Sequence, residues 1–185
     1  MGMHAEDQRL LEAFRRGEES AFAALVIKYR ETVYRLARRM LGNHEDAADA
    51  TQEVFLRAYR ALARFDGRSK LSTWLYRVTV NLCLDMRERG ARQPVVVEVE
   101  TAAEAALGPG LADEAAGRET GRLVRRAIAG LPPRQRAMVA LRLYHDLPYQ
   151  EIARIMRCSE GTVKATMFAA LRTLRRALAA QGVRG

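Results

Sequence analysis

The chain has 185 residues, 49% of them hydrophobic and 6% aromatic, enough apolar material to pack one large domain or two small ones and too much for a disordered chain. No run approaches the ~20 apolar residues of a membrane span, the first ten residues lack the apolar core of a signal peptide, and no CxxC or HExxH spacing offers a metal site. The net charge of +9 is uneven: residues 1–92 hold 17 basic and 13 acidic side chains, residues 93–117 hold 5 acidic and no basic ones, and residues 118–185 hold 14 basic and 4 acidic.

A protein of the cytoplasm is therefore expected, with its two cysteines, Cys83 and Cys158, reduced and no cofactor bound. Abundant Ala, Leu and Arg favour helices over sheets. The small basic C-terminal module carries the electrostatic footprint of a polyanion binder.

A short helix is expected over about Asp7–Arg16. Apolar residues then fall at Phe22, Leu25, Val26, Tyr29, Val33, Leu36 and Met40, in helical steps of three and four. Gly42 stops that helix and Asn43 caps the next. The third helix places Thr51, Val54, Phe55, Ala58 and Leu62 on one side, with Glu45, Asp46 and Asp49 at the positive end of its dipole.

Asp66-Gly67 marks a turn. Ser72 or Thr73 is expected to cap a fourth helix running to about Arg89, with Leu75, Val78, Leu82 and Met86 inward. Arg77, Asn81, Leu84 and Glu88 line its opposite side, flanked by Trp74. Four such helices can enclose one core. Residues 93–117, interrupted by Pro94, Gly108, Pro109, Gly110 and Gly117, read as a linker.

Helical pattern resumes at Leu123, Val124, Ala127 and Ile128, breaks at Gly130–Pro133, and continues through Met138, Leu141 and Tyr144. Tyr149–Met156 predicts a short helix with Ile152, Ile155 and Met156 inward. After a tight connection at Arg157–Ser159, Ser159 caps a longer helix that buries Val163, Met167, Ala170, Leu171, Leu174 and Leu178. Helix, short turn, helix is the helix-turn-helix pattern, whose second helix enters the DNA major groove. At 100° per residue its outer side holds Thr162, Ala165, Phe168, Ala169, Arg172 and Arg176, with Lys164, Thr166 and Arg175 at the margins. The cations can meet phosphates or guanine, and the threonines a base edge.

These residues carry a resemblance. The stretches LPPRQR from Leu131, LPYQEIA from Leu147 and CSEGTVK from Cys158 resemble the fourth region of bacterial sigma factors. DATQEVFLRAYRAL from Asp49 resembles the core-polymerase-binding part of their second region. STWLYR from Ser72, with Asn81, Leu82 and Asp85, resembles its promoter-melting and −10-reading part. Two regions joined by a short linker resemble the extracytoplasmic-function subgroup. The fold implied is all-α: a region 2 domain over residues 1–92, a linker over 93–117, and a region 4 domain over 118–185.

The resemblance implies a non-enzymatic factor that gives core RNA polymerase promoter recognition, with core polymerase, promoter DNA and an anti-sigma protein as partners. It places polymerase docking on Asp49, Gln52, Glu53, Phe55, Leu56, Arg57 and Tyr59. It places the −10 site, read as single strand with a base flipped out, on Arg68, Lys70, Trp74, Arg77, Asn81, Leu84 and Glu88. It places −35 reading on Ser159, Thr162, Lys164, Ala165, Thr166, Phe168, Ala169, Arg172 and Arg176. The acidic linker would either mimic nucleic acid in the polymerase cleft or act as a spacer. Three positions that commonly carry Arg in the family hold Thr166, Ala169 and Leu171, which implies fewer phosphate contacts and a shallower salt dependence. The rival reading is a helix-turn-helix regulator that does not act as a sigma subunit, leaving residues 46–90 without a role.

Overall fold

The computed structural model describes residues 5–90 and 114–180 and is all-helical over them, with eight helices. The first unit holds α1 (Ala5–Arg15), α2 (Glu19–Leu41), α3 (His44–Leu62) and α4 (Leu71–Arg89). The second holds α5 (Glu114–Ala129), α6 (Pro133–Leu143), α7 (Tyr149–Met156) and α8 (Glu160–Ala179). Helix α5 thus begins inside the stretch read as linker, and most of that stretch lies outside the described residues.

Helix α2 is the spine of the first unit. Its 23 residues give a rod of about 35 Å, and α1, α3 and α4 all pack on it. Gly42 ends it in the left-handed conformation at φ 93°, donating its N–H to the Arg38 carbonyl. The chain turns at once into α3, where the Asn43 side chain accepts from the Asp46 N–H at 2.7 Å. The stripes meet at Leu36, Ala37, Val54, Ala58 and Leu75, all buried. Helix α1 is tied down by Asp7, a buried carboxylate that accepts from the Tyr29 hydroxyl and the Lys28 ammonium, each at 2.8 Å.

Helix α4 differs from the expectation in two ways. It begins at Leu71 with Lys70 as its N-cap, and no side chain caps it. Ser72 and Thr73 therefore lie inside the first turn. Its burial also exceeds one stripe: Thr73, Thr79, Val80 and Cys83 are buried with Leu75 and Leu82, while Val78 and Met86 are only partly covered. The reason is that α4 is packed from two sides, by α2 and α3 and by α6 and α7 of the second unit.

The second unit closes around Ile128, Leu131, Leu141, Ile152, Ile155 and Val163, and this core runs on into that of the first unit. Pro133 opens α6, where a missing N–H costs nothing. Between the units lies a polar seam. Arg136, 2% exposed, donates from one guanidinium nitrogen to the Met40 carbonyl at 3.0 Å and from the other to Leu131 at 3.3 Å. Burial pulls its pKa down to about 10, so it stays charged at neutral pH. The Tyr76 hydroxyl meets His145 Nδ1 at 3.1 Å with the rings edge to face, and the Arg39 guanidinium sits 4.3 Å over the Tyr144 ring. Burial pushes Tyr76 up to about 12 and His145 down to about 4, so both are neutral here. No helix among the described residues is long and apolar enough to cross a membrane.

Candidate nucleic-acid and polymerase interfaces

The turn between α7 and α8 is built by backbone geometry. Arg157 takes the left-handed conformation at φ 52°, and the Cys158 N–H returns to the Ala153 carbonyl at 3.0 Å. Ser159 then caps α8: its hydroxyl accepts from the Thr162 N–H at 3.0 Å and lies 2.8 Å from the Thr162 hydroxyl. Val163, Met167, Ala170 and Leu174 anchor the helix in the core. Leu171 was expected with them but is exposed, because it lies 100° past Ala170 and off the stripe.

The outer side of α8 is clear. Thr162, Ala165, Arg172 and Arg176 are exposed, Phe168 is 70% exposed, and Thr166 and Ala169 are half-buried at the margin. Lys164 pairs with Glu160 at 2.8 Å, one turn back, and that carboxylate raises its pKa. Near the helix start, then, Ser159, Thr162 and Lys164 are engaged locally, and further along the surface is an aromatic ring followed by arginines.

The second candidate surface surrounds the loop between α3 and α4. Gly67 turns it at φ 71°, and Asp66 accepts from the Arg68 N–H at 3.1 Å and faces the Arg68 guanidinium at 3.2 Å. Phe65 is buried and its ring meets Trp74 edge-on at 5.7 Å. Arg64, Arg68, Arg77 and Trp74 line an open groove of about 650 Å³ with Phe65, Asp66 and Ser69, and Arg154 reaches it from α7. Four guanidinium groups against one carboxylate give it a predominantly basic lining. The Arg77 Nε is buried without a partner among the described residues. Lys70 is instead paired with Glu151 at 3.0 Å. Asn81 and Glu88 are exposed further along α4, and Leu84 packs partly against the core, so these three do not join the groove. Sequence reasoning missed Arg64 and Arg154; Arg64 neighbours the loop in sequence, whereas Arg154 reaches it only through the packing of the two units.

The third surface is the outer side of α3. Asp49 and Gln52 are exposed, and Glu53 pairs with Arg57 at 2.7 Å one turn on. Leu56 and Tyr59 are 48% and 45% exposed, large apolar side chains offered to solvent. Phe55, at 9%, belongs to the core and supports this face from behind. The Tyr59 ring stands edge-on to Phe14 and Phe22, with centroids 5.4 and 5.1 Å away.

A capped helix-turn-helix on one helical unit, beside a basic groove and a mixed acidic-apolar helix face on another, defines the class: a two-unit, all-α DNA-binding protein. Residues 25–93 match the family described as Sigma-70 region 2, and residues 121–174 match Sigma-70, region 4. The chain is 34% identical over 181 residues to the RNA polymerase sigma-H factor of Pseudomonas aeruginosa, covering 94% of each. It is 35% identical over 178 residues to the ECF RNA polymerase sigma-E factor of Escherichia coli K12, covering 92% of this chain and 93% of that one. It is 32% identical over 180 residues to the ECF RNA polymerase sigma factor SigW of Bacillus subtilis, covering 92% and 96%. The fold is similar to that of CnrH in complex with the cytosolic domain of CnrY, at TM-score 0.69 and 22% identity, over 95% of this chain and 98% of that one. It is also similar to the sigma factor RpoE in complex with the anti-sigma factor NepR from Bartonella quintana, at TM-score 0.67 and 21% identity, over 85% and 96%. The chain belongs to the extracytoplasmic-function sigma factors and directs promoter-specific transcription initiation by core RNA polymerase. A regulator acting apart from the polymerase is not favoured.

Proposed function

We propose that residues 1–92 bind core polymerase and read and open the −10 element, that residues 93–117 link the units, and that residues 118–185 read the −35 element as duplex. The observation that carries this division is the capped, outward-facing α8 on one unit and the arginine-lined groove beside Trp74 on the other. Ser159, Thr162, Lys164, Ala165, Thr166, Phe168, Ala169, Arg172 and Arg176 present α8 to the major groove. Arg68, Lys70, Trp74 and Arg77 take the unstacked −10 strand, the cations on phosphates and the indole on a base. Asn81, Leu84 and Glu88 meet the strand further along α4.

Asp49, Gln52, Glu53, Leu56, Arg57 and Tyr59 dock on the polymerase, as an acidic and apolar helix face suits a partner helix, with Phe55 as support. The reaction belongs to the polymerase; this chain works by binding alone, in the cytoplasm. Two solved structures of similar fold are complexes, CnrH with the cytosolic domain of CnrY and the sigma factor RpoE with the anti-sigma factor NepR, which supports an anti-sigma protein as a partner here. Two modest contacts on one chain reinforce each other through effective concentration. Run-off transcription with sigma-free core polymerase tests the proposal: the purified chain should confer a defined start site that is lost when either element is scrambled. Failure to associate with the polymerase would end it.

A further inference from the structure

Helix α1 lies outside the segment that matches region 2, yet it touches two of the candidate surfaces. Asp7 and Leu11 fix it against α2. Phe14 packs against Tyr59 on the docking face. The next residue, Arg15, donates a guanidinium N–H to the backbone carbonyl of Phe65, fifty residues away.

Phe65 is where the −10 loop leaves α3. Its N–H still bonds back to Leu62 at 3.1 Å, while Asp66, Gly67 and Arg68 already belong to the turn. Its ring is wedged against Trp74. The Phe65 carbonyl therefore stands at the junction between α3 and the loop. Arg15 holds the carbonyl and Trp74 meets the ring, and a shift of Phe65 would carry its chain neighbours Arg64 and Asp66, which line the groove together with Trp74. A charge-assisted hydrogen bond from a helix that is itself pinned is a rigid support for such a point.

We propose that Arg15 is a positioning residue for the −10 loop, so that α1 is part of the −10-reading unit and not only packing for it. The inference rests on the reading of this groove as the −10 site. Arg15 touches no DNA; it sets where Phe65, and with it the groove, stands.

The test uses holoenzyme assembled from core polymerase and the full chain. Its probe is fork-junction promoter DNA with a single-stranded −10 element; affinity for core polymerase is measured in parallel. Arg15→Ala should weaken fork binding about tenfold, the scale of one charge-assisted hydrogen bond, and leave core affinity unchanged. Arg15→Lys, which keeps a charged donor, should recover most of the loss. A chain carrying Arg64→Ala and Arg68→Ala, two exposed side chains that line the groove, is the control for the site. If that control binds the fork normally, the groove is not the −10 site and the proposal falls with it. If the control is weakened and Arg15→Ala is not, the site stands and Arg15 has no role in it. Equal loss of core and fork affinity in Arg15→Ala, or a loss in Arg15→Lys as large as in Arg15→Ala, would make α1 a general strut and overturn the proposal.

Discussion

The Lys70 ammonium lies 3.0 Å from a carboxylate oxygen of Glu151, an ion pair that joins the loop between α3 and α4 of the first unit to α7 of the second. Both side chains are largely covered, at 28% and 16% exposure. While the pair is made, Lys70 is not free to meet a phosphate. Glu151→Gln keeps the shape and removes the charge. It should raise the affinity of the free chain for a single-stranded −10 oligonucleotide about fivefold, corresponding to about 1 kcal/mol for a partly covered pair. Fluorescence anisotropy at low salt reads this directly, and an unchanged affinity would show that the pair does not restrain Lys70.

Arg136 carries a second polar contact across the seam, to the Met40 carbonyl. Removing it leaves the Met40 and Leu131 carbonyls without their donor in a buried place. Arg136→Ala should lower the unfolding free energy by about 3 kcal/mol. Arg136→Met restores volume but no donor and should cost about half as much. Urea unfolding of the two variants distinguishes a hydrogen-bonding role from a filling role, which would make Met harmless.

His145 gives the packing a pH dependence. Its ring is covered by Tyr76, faces Arg35 and Arg39, and keeps Nε2 buried without a partner among the described residues. Burial holds its pKa near 4, against about 6.5 in the unfolded chain. Between these values the unfolded chain binds the proton and the folded one does not, so stability is complete above pH 6.5 and falls on acidification. At pH 5 the wild type should have lost about 2 kcal/mol relative to pH 7 through this group. Thermal unfolding of His145→Gln at the two pH values should lack that part of the loss; identical losses would remove His145 as the cause.

Thr166 and Ala169 stand at the margin of α8, where an added guanidinium can reach a phosphate. Thr166→Arg and Ala169→Arg should each steepen the dependence of log affinity on log salt by about one unit for −35 duplex bound by holoenzyme. Titrations across a salt series measure it. A slope that stays put would mean these positions point away from the backbone.

Much of this molecule was legible in the sequence because local chemistry decided it. Gly42 and Asn43 mark a helix end and a helix start by geometry and capping alone, and Ser159 does the same for α8. What was not legible depends on packing between distant residues. The start of α4 at Leu71 overrides the better capping chemistry of Ser72 and Thr73, because Leu71 is fully buried and draws the first turn inward. The double-sided burial of α4, and the gathering of Tyr76, Arg136 and His145, come from two units meeting. No periodicity within one helix encodes that. Arg15 gave no signal at all, since a basic residue in the last turn of a helix is ordinary on dipole grounds.

The continuous core across the seam has a consequence for length. The proposed −10 and −35 elements are, by the difference of those two numbers, about 25 base pairs apart, roughly 85 Å along B-form DNA at 3.4 Å per step. A folded body of this size has a radius of gyration of about 16 Å. With α7 seated on α4, α8 and the arginine-lined groove proposed for the −10 strand sit within one such body, far short of that reach. If the two sites are as proposed, engaging both elements at once requires the partition at Arg136, His145 and Glu151 to come apart, exposing to solvent or to the polymerase the surfaces that here cover each other.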